Sequence, residues 1–262
     1  MRILVTNDDG IHAPGLALLE KIAARLGADV WCIAPDSERS GASRSVSCYQ
    51  PVRLVQAGIQ RFSVSGTPAD CVMLGVKEVM RDHPPDLVLS GVNYGSNIGE
   101  EIGYSGTLSA AMEGALFGIR SVGISQLYDR ETGVAPWHVA ERYTEPLLRA
   151  LLATEWAANV MLSVNFPAVA AGRELAGFQI TRQGYGNLTG GQYLNQRRVD
   201  GYGKPYYWTG VRTLVDSDVV GTDVWAVGKG YAAITPVRLD LTEEKTLAYL
   251  QASLHLPSDI RA

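Results

Sequence analysis

The sequence predicts an α/β fold: a doubly wound, mostly parallel sheet, with a β-rich C-terminal extension that ends in a helix. Three observations point to it. Short β-rich runs alternate with helical periodicity through the first half of the chain, which is the pattern of successive βαβ units. Glycine and proline punctuate the changes of period. Beyond about Gly172 the texture shifts to glycine, tyrosine and polar residues, which suits extended arms rather than a further layer of helices.

The elements follow in order. "RILVT" reads as a strand, and from Pro14 the residues Leu16, Leu19, Ile22, Ala23 and Leu26 recur at helical spacing, with Pro14 suited to a first helical turn. Gly27 stops that helix and "DVWCIA" is the next strand. Two strands joined by a helix are expected to lie parallel with a right-handed crossover. "VRLVQ" and "RFSVS" flank "AGIQ" as a small hairpin, and after "SGTPAD" a helix carries Val72, Met73, Val76, Val79 and Met80 on one face. "PPDLVLSG" gives a third core strand, "GVNYGSNIGEEIGYSGT" a long glycine-rich loop and "LSAAMEGALFG" a third helix. "SVGIS" is a strand, "WHVAERYTEPLLRALLA" a helix that Pro146 should kink, and "NVMLSVNFP" the expected last strand of the main sheet. The tail offers hairpin-like arms from Arg182 to Gly210, strands in "VWAVGKGYAAITPVRLD", and a terminal helix in "TEEKTLAYLQASL" with Thr242 as its cap.

Composition excludes several classes. The chain has 262 residues, 46% hydrophobic and 19% charged, which is ordinary for a globular protein. The formal charge of −4 gives no global basic field for a nucleic-acid polymer. The opening "MRILVTNDD" is too short for a signal peptide's apolar core, and no apolar run approaches a membrane span, so the cytoplasm is the expected location. Cys32, Cys48 and Cys71 are odd in number and not spaced as a zinc site or disulfide framework. "NLT" at Asn187 matches a glycosylation sequon and is read as chance. No G-x-G-x-x-G follows the first strand, no G-x-x-x-x-G-K-[ST] is present, and "SVSGT" around Ser65 lacks the first glycine of a nucleophile elbow.

The chemistry concentrates in loops. Ligands of an open parallel sheet bind beyond the carboxyl ends of its strands. Three loops leave such ends here: "NDDG", "PDSERSGAS" and "SGVNYGSN". If their strands are neighbours, Asp8, Asp9, Ser40 and Asn93 meet. Two carboxylates, a hydroxyl and an amide oxygen form a hard, all-oxygen donor set, which suits Mg²⁺ or Mn²⁺ better than zinc. Two adjacent acids also repel unless a cation joins them. A plain alternative is that the acids cap the following helix in a solvated turn. In "YSGTLSAAMEG", Ser105, Gly106 and Thr107 stand immediately before a helix, where free N–H groups and the helix dipole attract phosphate. A simple N-cap at Ser105 or Thr107 explains the same residues. Arg39 and Arg44 flank Ser40 as local positive charge or as solvated loop residues.

The ordered motifs "ILVTNDDG", "APDSERSGAS", "SGTPADCV", "SGVNYGSN" and "YSGTLSAAMEG" closely resemble the SurE family of stationary-phase survival proteins, which act as 5′/3′-nucleotidases. The resemblance implies a Rossmann-like core over residues 1–172 and, over residues 173–262, a β-hairpin arm and C-terminal segment used in a dimer or tetramer. It also implies a divalent-metal phosphomonoesterase acting on nucleoside monophosphates and, in some members, on short polyphosphate. Its metal ligands fall on Asp8, Asp9, Ser40 and Asn93, and its phosphate pocket on Asn97 and on Ser105 to Thr107. Neither a membrane nor a nucleic-acid polymer is expected as a partner.

In the implied mechanism a metal-bound water attacks phosphorus in line, oriented or deprotonated by Asp8 or Asp9, while Asn97, Ser105 and Thr107 stabilise the equatorial oxygens. His12, three residues beyond Asp9, is a candidate general acid for the leaving alkoxide, and a loop histidine without a catalytic role is the plainer reading. A covalent aspartyl-phosphate is a second mechanism, disfavoured because the acids are adjacent rather than spaced as D-x-D. A metal-dependent nucleotide-binding regulatory protein without turnover is the alternative from another class. Tyr94, Tyr104 and the tail aromatics are candidates for stacking on a base.

Overall fold

A computed structural model describes residues 1–27, 29–185, 196–208 and 217–254. The first crossover is as the periodicity predicts. Strand β1 (Arg2–Thr6) leads to helix α1 (Pro14–Arg25), which returns to β2 (Asp29–Pro35), parallel to β1 with Val5 beside Cys32. The hairpin β3 (Leu54–Gly58) and β4 (Arg61–Val64) joins the sheet through a parallel pairing of β4 with β2. Helix α2 (Pro68–Leu74) continues as a π-helical stretch, Gly75–Val79, and β5 (Leu87–Tyr94) then enters beside β1. A 3₁₀ turn, Gly99–Gly103, precedes α3 (Gly106–Leu116), followed by β6 (Arg120–Gln126), α4 (Trp137–Leu152) and β7 (Val160–Phe166). Helix α4 runs unbroken across Pro146.

The C-terminal part corrects the sequence reading in three places. Strand β7 does not end the sheet: after β8 (Gly177–Ile180), the later β11 (Tyr231–Arg238) pairs antiparallel with β7 and parallel with β8. The described sheet has nine strands in the order β3-β4-β2-β1-β5-β6-β7-β11-β8. "VWAV", expected as strand, lies in helix α5 (Asp223–Gly228), because Thr222 caps it by accepting from the Trp225 N–H at 3.3 Å. The last described helix, α6 (Glu244–Ser253), is capped by Glu243 rather than Thr242. Strands β9 (Gln196–Val199) and β10 (Pro205–Trp208) form the expected antiparallel arm, while Asn187 lies outside the described residues. No described helix is long and apolar enough to cross a membrane.

Alternation along β1 and β5 explains the two-sided core. Ile3, Val5, Leu87 and Leu89 pack with Leu16, Leu19 and Ile22 of α1 and with Leu147 and Leu148 of α4. Leu4 and Val88 point the other way, against Val72 of α2, Val76 of the π-helical stretch and Ala110 of α3. Burial on both faces fixes the register of the central strands, and with it the loops that leave them. Leu4 is fully buried. Leu4→Ala is therefore expected to destabilise the fold by about 3 kcal/mol, which lowers Tm by several degrees in a thermal melt. An unchanged Tm would show that β1 is not anchored by that face.

Candidate active site

The order β2-β1-β5 at the centre of the sheet supplies the adjacency that the loop motifs needed. The chain leaves β1 through a turn closed by Asn7, whose Nδ2 donates to the Gly10 carbonyl at 3.0 Å and whose Oδ1 accepts from the Gly10 N–H at 3.2 Å. Asp8 keeps the facing of Leu4 and Thr6 and so projects to the α3 side of the sheet. It is buried, and its Oδ1 accepts a hydrogen bond from the Thr107 hydroxyl. A Cβ on Gly106 would lie 2.7 Å from Asp8 Cβ and from Oδ2, so only glycine lets the first turn of α3 close on this carboxylate. The acids do not cap α1, whose N-cap is Ala13 without a side-chain bond. Asp8 belongs to α3 instead.

Asp9 turns toward β5, where its Oδ2 accepts from the Tyr94 N–H at 3.3 Å. Asn93 and Tyr94 are the last residues of β5, not part of the following loop. Asn93 Nδ2 donates to the Gly95 carbonyl at 3.0 Å. The loop after β2 reaches the same edge: the Arg39 N–H donates to the Asp8 carbonyl at 2.8 Å. Next to it, the exposed Ser40 hydroxyl donates to Glu38 Oε1 at 2.9 Å.

The electrostatics are one-sided. Burial pushes the Asp8 carboxyl above its ordinary value, against the pull of the Thr107 hydroxyl and of backbone N–H groups. Burial, and then the Asp8 charge, push Asp9 up to about 7. Glu38 adds negative charge to both. Neither acid has a Lys, Arg or His within ion-pair distance among the described residues. An uncompensated pair of acids among oxygen donors fits a hard divalent cation. No three described His, Cys, Asp or Glu side chains cluster as a metal site, so such a cation would depend on Ser40 and Asn93 as well as the two acids.

The phosphate-pocket candidates are placed in detail. Ser105 is the N-cap of α3, accepting from the Leu108 N–H at 3.0 Å, and Thr107 is committed to Asp8. The Thr107 N–H is directed to Asp8 and the Leu108 N–H to Ser105, so what remains for an anion at the start of α3 is the Gly106 N–H, with the dipole behind it. Asn97 is buried and donates through Nδ2 to Ser125 Oγ at 2.7 Å. Its main chain is gripped by Asn165 of β7, which accepts the Asn97 N–H at 2.7 Å and donates to the Asn97 carbonyl at 3.2 Å. Sequence reasoning missed Asn165 and Ser125. Their signal was present as polar residues inside buried strand runs, "SVNFP" and "VGISQ".

His12 is exposed on the turn before α1 and makes no described hydrogen bond or ion pair. The Arg39 guanidinium donates to the Ser65 carbonyl at 3.0 Å and approaches Asp36, away from the acids. Arg44 lines a cavity of about 570 Å³ between α3 and the end of β11.

The SurE survival-protein family model matches residues 3–189, all five loop motifs included. The chain belongs to the SurE family. A relative named 5′-nucleotidase SurE from Methylobacterium radiotolerans is 46% identical over 248 residues, 94% of this chain and 96% of that protein. Another of the same name from Rhodopseudomonas palustris strain HaA2 is 45% identical over 257 residues, 97% and 100% of the two chains. The crystal structure of the SurE protein from Aquifex aeolicus matches with a TM-score of 0.80 at 34% identity, covering 96% of this chain and 99% of that one. The mostly parallel α/β fold of this SurE chain is that of its structural relative.

Two outcomes follow from this geometry. Gly106→Ala must displace the Asp8 carboxylate, and enzymatic turnover is expected to fall roughly 100-fold in a protein that still folds; near-normal turnover would mean that Asp8 tolerates another position. The raised acids favour the fold fully below their ordinary value, and that contribution is lost as pH rises through about 7. Metal-free protein should melt a few degrees lower at about pH 8 than at about pH 5, and Asp9→Asn should flatten the slope. An identical slope in that variant would place its origin elsewhere.

Proposed function

We propose that the chain is a nucleotidase that hydrolyses nucleoside 5′-monophosphates to nucleoside and phosphate, with a divalent metal, Mg²⁺ or Mn²⁺, as cofactor. The reading extends to 3′-monophosphates and short polyphosphate. Its single strongest support is the adjacent acids without a cationic partner, Asp8 buried against the N-terminus of α3 and Asp9 beside it at the end of β5, in a chain whose relatives are named 5′-nucleotidase. Asp8, Asp9, Ser40 and Asn93 would hold the metal. When bound, it would polarise a phosphoryl oxygen and lower the pKa of a bound water to near neutrality.

The chain's own residues supply the rest. Asp8 is fixed by Thr107 and serves as a ligand rather than a mobile base. Asp9, half-exposed and held by one backbone N–H, is placed to orient or deprotonate the attacking water. The Gly106 N–H at the start of α3, with Asn97, is assigned to the charge that develops on the equatorial oxygens. His12 is assigned protonation of the leaving alkoxide, reached from an exposed turn. Tyr94 is the surface assigned to the base: the residue is 47% exposed and its ring stacks on Tyr128 at 5.2 Å between centroids. The enzyme is placed in the cytoplasm as a dimer or tetramer, and self-association is assigned to the region beyond Gly172. Helix α6 supports that assignment, since none of its residues is buried and Leu247, Leu250 and the following Leu254 are exposed.

Inorganic phosphate released from a panel of 5′- and 3′-monophosphates should need Mn²⁺ or Mg²⁺, vanish with EDTA and fall ~100-fold or more in Asp9→Asn. Folded protein that binds nucleotide with metal but releases no phosphate would make it a binding protein instead. Tyr94→Ala should raise KM for nucleotides several-fold while leaving a small non-nucleotide phosphomonoester unaffected, as a stacking contact predicts. Equal losses on both substrates would remove Tyr94 from base recognition.

A further inference from the structure

We propose that Asp223, far along the chain from the loop motifs, is a positioning residue of the reaction: its buried carboxylate sets the Asn97–Gly99 segment, which carries the phosphate-pocket candidate Asn97. The inference rests on the nucleotidase reading for its chemistry, but not for its geometry.

Asp223 is fully buried at the first position of α5. Its Oδ2 accepts the Gly99 N–H at 2.9 Å, a contact 124 residues away in sequence, and its Oδ1 accepts the Gly184 N–H at 2.7 Å and the Val224 N–H at 2.8 Å. Starting α5 does not require this arrangement, because Thr222 already caps the helix. A carboxylate without a cationic partner is costly to bury unless several donors are aimed at it. Here two of the three donors belong to other segments, so the carboxylate acts as a joint between them.

The joint has a matching surface. Segment 182–184 runs beside 221–223: the Arg182 N–H donates to the Gly221 carbonyl at 3.1 Å, and the Asp223 N–H to the Arg182 carbonyl at 3.0 Å. A Cβ on Gly184 would stand 2.8 Å from Thr222 Cβ and 3.1 Å from Asp223 Oδ1, so the backbone must approach bare. Gln183, between them, donates through Nε2 to the Gly99 carbonyl at 2.9 Å. Gly99 is thereby held at both its N–H and its carbonyl by residues 183 and 223. Asn97, two residues earlier, is held the same way by Asn165. Among the described residues the loop between β5 and the 3₁₀ turn is held by these clamps together with the Gly95–Gln126 bridge and the bonds of Ser96 and the Ile98 N–H to Glu101. Asp223→Asn keeps the volume but replaces one acceptor oxygen with an NH₂ group, which leaves the N–H of Gly99 or Gly184 facing another donor.

The experiment compares Asp223→Asn with Thr222→Val, which removes the helix cap and leaves the Gly99 bond in place. Three readouts are taken: Tm, kcat/KM for adenosine 5′-monophosphate with the Ki of inorganic phosphate, and amide hydrogen exchange over residues 96–103 in metal-free, substrate-free protein. Asp223→Asn is expected to lower kcat/KM and raise the phosphate Ki by about 10-fold or more, with faster exchange confined to 96–103. Thr222→Val is expected to lower Tm without either change. Wild-type kcat/KM in Asp223→Asn, unchanged exchange over 96–103, or parallel losses in Thr222→Val would overturn the proposal. If Asp223→Asn does not fold, Asp223→Glu is measured by the same criteria. A wild-type protein without phosphate release would refute the nucleotidase reading, while the exchange readout would still decide whether Asp223 sets the loop.

Discussion

The structure depends on how one buried carboxylate is tolerated. Asp8 sits at the carboxyl edge of β1, 4% exposed, with its side chain pressed onto the first residues of α3. Water is excluded, so the charge must be met by hydrogen-bond donors and by the positive end of a helix. Thr107 supplies the hydroxyl and Gly106 the closeness. These donors offset burial only in part, and the carboxyl stays above its ordinary value. With Asp9 beside it, the site holds more negative charge than its surroundings neutralise. That excess is the electrostatic basis of the proposed divalent-metal site.

The remaining architecture serves that edge. Because β1 is paired on both sides and buried on both faces, its register cannot slip, and the three loops converge on one edge, where the Arg39 N–H bond to the Asp8 carbonyl and the Tyr94 N–H bond to Asp9 join them. Helix α3 lies across β5 and β6, so its N-terminus points at the same spot as the strand ends. Farther along the sheet, Ser125 of β6 and Asn165 of β7 reach back to Asn97. The C-terminal part is tied to the same loop through Asp223 and Gln183. The bonds that hold these loops thus come from nearly the whole length of the chain.

Some of this was legible in the sequence because local rules sufficed. The alternation of short apolar runs and helical spacing carried β1, α1, β2, α3, β6 and β7, and "NDDG" and "YSGT" advertised their chemistry through adjacent acids and a pre-helical glycine. The failures share a cause. "VWAV" is β-prone by composition, yet Thr222 and the packing of Val224 and Val227 against Ile98 and Ala233 make it helix. Strand β7 reads as an edge only if the later apolar run "YAAITPV" is assigned elsewhere; long-range pairing with β7 decides that it is not.

The sequence by itself determined the α/β class, the helix and strand periods of the first half and the residue types gathered at the loops, because these follow from side-chain spacing and local turn chemistry. Only the tertiary structure decided that Asp8 answers to α3 rather than α1. It likewise decided that Asn165 and Asp223 hold the loop from afar, and that His12 faces solvent away from any described partner. The physical reason is range. Periodicity and capping act over a few residues, whereas the burial of a charge is settled by whatever donors the folded chain brings within hydrogen-bond distance, at any separation in sequence.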